Sequence, residues 1–126
     1  MFIVISHQDP APLYQQVFDQ IVDAITAGTL HAGDKLPSIR EVTAELKISE
    51  ITVKRAYTDL EHAGYIFTRA GRGSFVAEID GDTLRAKKMS RLRNDLEALL
   101  KSNEKYGIRA TDMIALIKEI KEDNNG

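Results

Sequence analysis

Apolar residues recur at helical spacing in three stretches within the first 64 residues. In the first stretch Leu13, Val17, Ile21 and Ile25 lie four residues apart, which is typical of a helix with one buried face. Gly28 supplies a stop for this helix. The apolar positions of the next two stretches are Ile39, Val42 and Leu46, and then Val53, Ala56, Leu60 and Ala63. The pattern therefore predicts three amphipathic helices, of which the first is the longest.

Two serines mark the starts of the second and third helices. Ser38 lies three residues before Glu41, which is the spacing of a capping box, and Ser49 offers a second N-cap. Only Lys47 and Ile48 separate the second helix from the Ser49 cap. Two helices joined so closely are typical of a helix-turn-helix.

Short β-prone runs flank the helices on both sides. Residues Tyr65–Arg69 and Ser74–Ala77 enclose the turn Ala70–Gly73, so they predict a hairpin. The segment Phe2–Ile5 is expected to be a short strand or an extended arm, and residues 29–37 are expected to form a loop. A hairpin after a helix-turn-helix predicts a winged helix.

The composition shifts at Asp80-Gly81-Asp82, because the chain beyond it has no proline and few aromatic residues. Two helices are expected here, separated at Tyr106-Gly107, with Thr111 or Asp112 capping the second. They are too small to enclose a core, so a second copy of the chain is the simplest partner for their apolar stripes. We expect dimerisation through Met89, Leu92, Leu96 and Leu99, spaced as a coiled-coil seam, and through Met113, Leu116, Ile117 and Ile120.

Length and composition narrow the class of protein. A chain of 126 residues without cysteine has room for one core and a small appendage, and it has no disulfide or thiolate metal site. The net charge is −2, but residues 35–72 carry seven basic against five acidic side chains, a slight local excess. The opening residues lack the features of a signal peptide, and no apolar run approaches the roughly 18 residues of a membrane span. We therefore expect a soluble, cytoplasmic protein.

The outer face of the third helix carries side chains that could read DNA bases. Lys54 could donate to guanine O6 and N7, Glu50 could accept from a cytosine amine, and Ile51 could pack on a thymine methyl group. Arg55 lies at the side of this face. The alternative is that Glu50 only complements the helix dipole and that Lys54 is a solvated surface charge.

Other residues are candidates for holding the DNA backbone. Arg40, with Ser38 and Thr52, could bind phosphates, although Arg40 could instead pair with Glu41 or Glu45. Two glycines at the wing tip allow a tight turn and close approach to a duplex, although a plain hairpin turn would also favour glycine. The remaining candidates are Ser49 at the helix start, Tyr57 through its hydroxyl, and Arg69, Gly71, Arg72 and Gly73 in the wing, with Arg72 entering the minor groove.

An ordered set of motifs resembles the GntR family of bacterial transcription regulators. The set runs from Pro12-Leu13-Tyr14-Gln15-Gln16 through Gly33–Arg40 and Thr52–Tyr57 to the wing Gly71–Val76. The resemblance implies a winged helix-turn-helix over residues 1–79 that binds double-stranded DNA, with Arg40 matching a family arginine that contacts it. The short tail, residues 80–126, is similar to the YtrA-like subgroup, which implies repression. The two-fold symmetry of the expected homodimer predicts a palindromic operator. Many relatives have arginine where this chain has Glu50, so that base contact does not carry over.

The predicted fold is therefore mainly α with a small β-hairpin, a winged helix-turn-helix followed by a two-helix dimerisation tail. An enzyme is the first alternative, but His7, His31 and His62 have neither metal-ligand nor triad spacing, and Gly71-Arg72-Gly73 lacks the context of a phosphate loop. We expect no catalytic residue, metal or cofactor. The second alternative is a winged helix that binds another protein without reading DNA. The sequence does not identify a small-molecule effector.

Overall fold

Helices dominate the computed structural model, which describes residues 2–125, and the predicted mainly α fold with a small hairpin is confirmed. The chain divides into two compact units between Asp80 and Gly81; we call residues 2–80 the head and residues 81–125 the tail. The ends of the two predicted domains, Met1 and Gly126, lie outside the described residues. The elements are α1 (Leu13–Thr26), α2 (Ile39–Leu46), α3 (Glu50–His62), β1 (Ile66–Arg69), β2 (Gly73–Val76), α4 (Gly81–Asn103), a 3₁₀ turn (Glu104–Tyr106) and α5 (Ala110–Asn125).

The core of the head forms where α3 packs against α1 and α2. Val17 and Ile21 of α1, Val42 of α2, and Val53 and Leu60 of α3 are fully buried. These are the positions that the helical spacing predicted, because residues three or four apart share one face of a helix. The α1 helix ends at Ala27, and Gly28 follows in a left-handed conformation, as a helix stop requires.

The N-terminal segment is an extended arm that two glutamines of α1 hold in place. The Gln20 amide donates to the Val4 carbonyl at 2.6 Å and accepts from the Val4 N–H at 2.8 Å. The Gln16 amide makes the same pair of hydrogen bonds with Ser6, both at 2.9 Å. Ile3 is buried as a result, so the arm is part of the head's core and needs no partner strand.

Residues 29–37 form a loop, as predicted, but three residues of this loop pair with the wing. Residues 34–36 pair antiparallel with β2: Leu36 N–H donates to the Ser74 carbonyl at 2.8 Å, and Val76 N–H donates to the Asp34 carbonyl at 2.9 Å. A run of three residues is too short to show strand periodicity in the sequence, and its partner is about 40 residues away in the chain. One isolated β-bridge, between Lys35 and Phe75, thus adds to the two-stranded sheet of the wing.

The tail contains α4 and α5, and none of the described residues in either helix is buried within it. Gly107 separates the helices in a left-handed conformation, as the sequence indicated. The predicted N-cap of the last helix was wrong, because α5 begins at Ala110. Asp112 instead lies in the first turn, where its carboxylate accepts from the Arg109 N–H at 2.9 Å.

Candidate nucleic-acid interface

A tight turn brings α2 and α3 together and fixes the start of the exposed helix. Lys47 ends α2 in a left-handed conformation with φ of 55°, and Ile48 is buried behind it. Ser49 then caps α3 by accepting from the Thr52 N–H at 3.2 Å, and the two hydroxyls lie 2.6 Å apart. Ser38 caps α2 in the same way, at 3.0 Å from the Glu41 N–H. Both caps are as the sequence predicted.

The face of α3 opposite the core is open to solvent. Glu50, Lys54 and Thr58 are exposed along it, while Val53, Ala56 and Leu60 point inward. Ile51 is 78% exposed, more than any other large apolar side chain in the described part of the head. When an apolar group covers an isoleucine that is exposed to water, the free energy of the system falls.

Arg55 is not free on this face, because two neighbours orient it. Its guanidinium carbon lies 3.7 Å from the centre of the Tyr14 ring, which is a cation–π contact between α3 and α1. Its Nε lies 4.0 Å from the Asp59 carboxylate, one turn along α3. Arg55 therefore helps to join the two helices, although its side chain is 61% exposed.

The structure corrects the prediction for Tyr57, which is a core residue. Only 4% of it is exposed, and its hydroxyl donates to the Pro37 carbonyl at 2.6 Å. Burial raises the pKa of this phenol well above its usual value, and the negative charge of Glu41 raises it further. With its proton committed to Pro37, Tyr57 stabilises the chain that enters α2 and does not donate to a phosphate.

Arg40 and Lys54 are exposed and carry charges that no carboxylate balances. Neither side chain forms an ion pair within residues 2–125, so the salt bridge from Arg40 to Glu41 or Glu45 that was considered as an alternative is not formed. Unpaired cations on an exposed surface can bind an anion without first breaking an internal contact. Arg40 lies on α2 and Lys54 on α3, the two helices of the helix-turn-helix.

The wing is a short antiparallel hairpin that presents Arg72 at its tip. β1 pairs with β2 from Ile66 opposite Val76 to Arg69 opposite Gly73. The turn closes with a hydrogen bond of 2.9 Å from the Arg72 N–H to the Arg69 carbonyl, and Gly71 adopts φ of 75° there. Because L residues with a side chain rarely adopt that φ, the glycine is required by the turn itself.

The pair Ile66 and Val76 anchors the wing, because both side chains are buried opposite each other in the hairpin. On the other face of the hairpin, the rings of Phe67 and Phe75 stack with centroids 5.6 Å apart. The Arg69 guanidinium lies 5.2 Å from the centre of the Phe67 ring. The strands are thus held firmly, and the exposed tip extends from a fixed base.

Sequence reasoning missed one cation at the wing, Lys35. It lies opposite Phe75 in the short run that pairs with β2, and its side chain is exposed. It forms no ion pair with any described residue. Lys35 belongs to the motif Gly33–Arg40 but was given no role, because only the pairing of residues 34–36 with β2 places it at the same groove as Arg69 and Arg72.

In the tail, the predicted dimerisation residues form an apolar surface. Met89, Leu92, Leu96 and Leu99 of α4 and Leu116, Ile117 and Ile120 of α5 are each 37–56% exposed, and Met113 is half-buried. Ile114, which the sequence analysis did not select, is 52% exposed on α5. Such a concentration of exposed aliphatic side chains is typical of a surface that another molecule covers.

Two searches of the described residues bear on the other classes of protein considered. No group of three histidine, aspartate or glutamate residues within residues 2–125 is arranged to hold a metal ion. No helix in the same range is both long and apolar enough to cross a membrane.

A helix-turn-helix with an outward-facing second helix, followed by a cationic β-hairpin, defines the class of winged-helix DNA-binding proteins. The sequence profile of the bacterial regulatory proteins of the gntR family matches residues 13–76, which is half of the chain. The chain belongs to the GntR family, and it is a DNA-binding transcription regulator.

Similarity to individual proteins extends beyond the head. The chain is 33% identical over 124 residues to the HTH-type transcriptional repressor YtrA of Bacillus subtilis (strain 168), covering 98% of this chain and 95% of the relative. A solved structure of YtrA from Sulfolobus acidocaldarius, a GntR-family transcription factor, matches with a TM-score of 0.59 and 33% identity over 75% of this chain and 99% of that one. The resemblance to the YtrA-like subgroup is thereby confirmed.

A further solved structure includes DNA. The DNA-binding domain of AraR in complex with operator ORR3 matches with a TM-score of 0.52 and 28% identity, over 59% of this chain and 89% of that chain. The match spans about the length of the head. This fold therefore occurs bound to an operator in a protein of similar sequence.

Proposed function

We propose that the chain is a transcriptional repressor that binds a palindromic operator as a homodimer in the cytoplasm. The observation that carries the proposal is the start of α3, where Ile51 is 78% exposed beside the unpaired charge of Lys54. An exposed apolar side chain next to an exposed cation matches the major groove, in which thymine methyl groups lie beside the acceptor atoms of guanine.

Within this interface the side chains divide into two roles. Lys54, Glu50 and Ile51 reach base edges from α3, and so they carry the sequence preference. Backbone contacts come from Arg40 and the capping residues Ser38, Ser49 and Thr52, with Arg55 in support; in the wing they come from Arg69, Gly71, Arg72 and Gly73. These contacts fix the position of the head on the duplex without depending on its sequence.

The tail pairs with the tail of a second copy of the chain, and that copy brings the second head. Burying a half-exposed leucine or isoleucine recovers about 1 kcal/mol, and each copy has eight large apolar side chains that are 37–56% exposed on α4 and α5. A second copy offers the same aliphatic surface, so a two-fold symmetric pairing covers both at once. A dimer with two-fold symmetry binds two half-sites of opposite orientation, and this makes the operator palindromic.

Repression is the proposed direction of control because a relative that aligns with 98% of the chain is a transcriptional repressor. Because the tail contains only α4 and α5, its apolar surface is the means by which two copies associate, and the resulting dimer is the unit that occupies the operator. We place the protein in the cytoplasm because a regulator of this family must reach chromosomal DNA.

A selection of random duplexes by the purified protein tests the proposal. We expect enrichment of a palindrome whose half-sites lie about one helical turn apart, and an affinity that falls steeply as salt rises, because bound phosphates release counterions. The selected sequence should bind far more tightly than a scrambled duplex of the same composition. Absence of enrichment, or binding that ignores salt, would contradict DNA readout and favour a protein partner for the exposed face of α3.

A further inference from the structure

A groove of about 380 Å³ opens between the wing and the start of α2. Lys35, Arg69 and Arg72 line it, together with Ser38 and the backbone of the wing tip. None of its lining residues is acidic, so the groove carries three positive charges and no negative one.

Backbone pairing fixes the position of Lys35 at this groove. The hydrogen bonds of Leu36 and Asp34 to β2, on either side of it, hold the Lys35 backbone opposite Phe75. Lys35 is therefore joined to the wing and moves with it. A cation on a free loop would lose more conformational entropy when it binds an anion.

Gly73 makes room for the Lys35 side chain. A methyl group on the Gly73 Cα would lie 3.0 Å from Lys35 Cε and 3.8 Å from its Nζ, closer than a side chain can approach without displacing the lysine. Gly73 also has φ of 116°, whereas Gly71, at the tip, has open space around the same position. The end of the Lys35 side chain thus lies close to the bare backbone of Gly73.

We infer that this groove binds a phosphate of the DNA backbone beside the wing, and that Lys35 is the cation that neutralises it. The inference rests on the proposed function, and it adds to it a contact that sequence reasoning did not find. A lysine with no carboxylate partner, fixed between Arg69 and Ser38, supplies charge without base specificity. Lys35 therefore strengthens binding to every sequence alike.

The test compares Lys35→Met with the wild-type protein on the selected operator and on scrambled DNA, at about 50 and 200 mM salt. Methionine keeps most of the aliphatic chain and removes the charge. Each lost phosphate contact lowers the slope of log affinity against log salt by about 0.9, so the four-fold rise in salt should weaken the variant about 3.5-fold less per head than the wild type. The difference should be the same on both duplexes, and Lys35→Arg should restore the wild-type slope.

Gly73→Ala provides a second variant. The added methyl would shift the end of the Lys35 side chain by a few tenths of an ångström, so any reduction in slope should be no larger than that of Lys35→Met, and adding it to Lys35→Met should reduce the slope no further. Lys121→Met removes an exposed charge of the tail and serves as the control, which should keep the wild-type slope. Thermal unfolding by circular dichroism checks that every variant is folded.

The outcomes separate the two proposals. If the wild type binds the operator with a steep salt dependence and Lys35→Met has the same slope, the phosphate site is wrong while the proposed function stands. If the wild type binds no selected duplex, both are overturned. A slope that is reduced in Lys35→Met, restored in Lys35→Arg and unchanged in Lys121→Met supports the site.

Discussion

The head and the tail use their apolar residues in opposite ways. Every buried hydrophobic residue of the described chain lies between Ile3 and Val76, whereas α4 and α5 of the tail contain no buried residue. The head satisfies its apolar faces by folding three helices and a hairpin around one core. The tail has similar periodicity but leaves its aliphatic side chains exposed to solvent. The same helical spacing of apolar residues therefore gives a buried core in the head, where three helices and a hairpin pack together, and an exposed apolar surface in the tail, which has only two helices.

The largest expected effect comes from charges placed on the tail. Leu92→Glu combined with Leu96→Glu should separate the dimer, and affinity for the full operator should fall about 100-fold or more, because the second half-site is then no longer held nearby. Light scattering gives the oligomeric state, and gel shifts give the affinity. Ala98→Glu places a negative charge at an exposed position of α4 outside the predicted dimer seam, and it should leave the oligomeric state and the affinity unchanged. Dimers that persist in the double variant would show that the interface lies elsewhere.

A cavity in the head should destabilise that unit alone. Leu60 is fully buried, so Leu60→Ala should lower the free energy of unfolding of the head by about 2–5 kcal/mol. Hydrogen–deuterium exchange resolves the two units, and protection should fall in α1 and α3. Leu99→Ala, which alters a half-exposed tail residue, should leave the exchange of the head unchanged. If Leu60→Ala lowers the protection against exchange equally in both units, the head and the tail unfold together.

Truncating Ile51 should weaken operator binding by about 1 kcal/mol, roughly five-fold, without altering stability, since the side chain is already in solvent. The thymine methyl group can be removed independently by placing uracil in the operator. If the two groups touch, Ile51→Ala and uracil should each weaken binding, and the combination should cost little more than either alone. If the losses of affinity from Ile51→Ala and from uracil are fully additive at every thymine, Ile51 does not contact a thymine methyl group.

Tyr57→Phe should have the smallest effect, and it should fall on stability alone. Loss of the hydrogen bond to Pro37 should lower the free energy of unfolding by about 0.5–1.5 kcal/mol and leave the salt dependence of DNA binding unchanged. Because folding raises the pKa of this phenol, the unfolded chain releases its proton first, so wild-type stability should decline as pH rises above about 10. Urea unfolding at pH 8 and pH 10.5 should show a smaller decline in the phenylalanine variant.

Local signals were enough to predict most of the fold and much of the interface. Apolar spacing predicted all five helices, the serines at positions 38 and 49 predicted two caps, and glycines predicted the turn of the wing. What was missed depends on distant pairs of residues. Tyr57 reaches a carbonyl 20 residues away, and residues 34–36 pair with a strand about 40 residues further on, so neither leaves a periodic trace. Lys35 was overlooked for the same reason.

We propose that two heads, joined by their tails, bind the two half-sites of one palindromic operator. The most direct test of this claim is sedimentation analysis of the purified protein with the selected operator and with a duplex in which one half-site is scrambled. We predict two chains per duplex, and an affinity about 100-fold or more lower for the single half-site. One chain per duplex, or equal affinity for the two DNAs, would contradict the claim, because the tail would then contribute nothing to DNA binding.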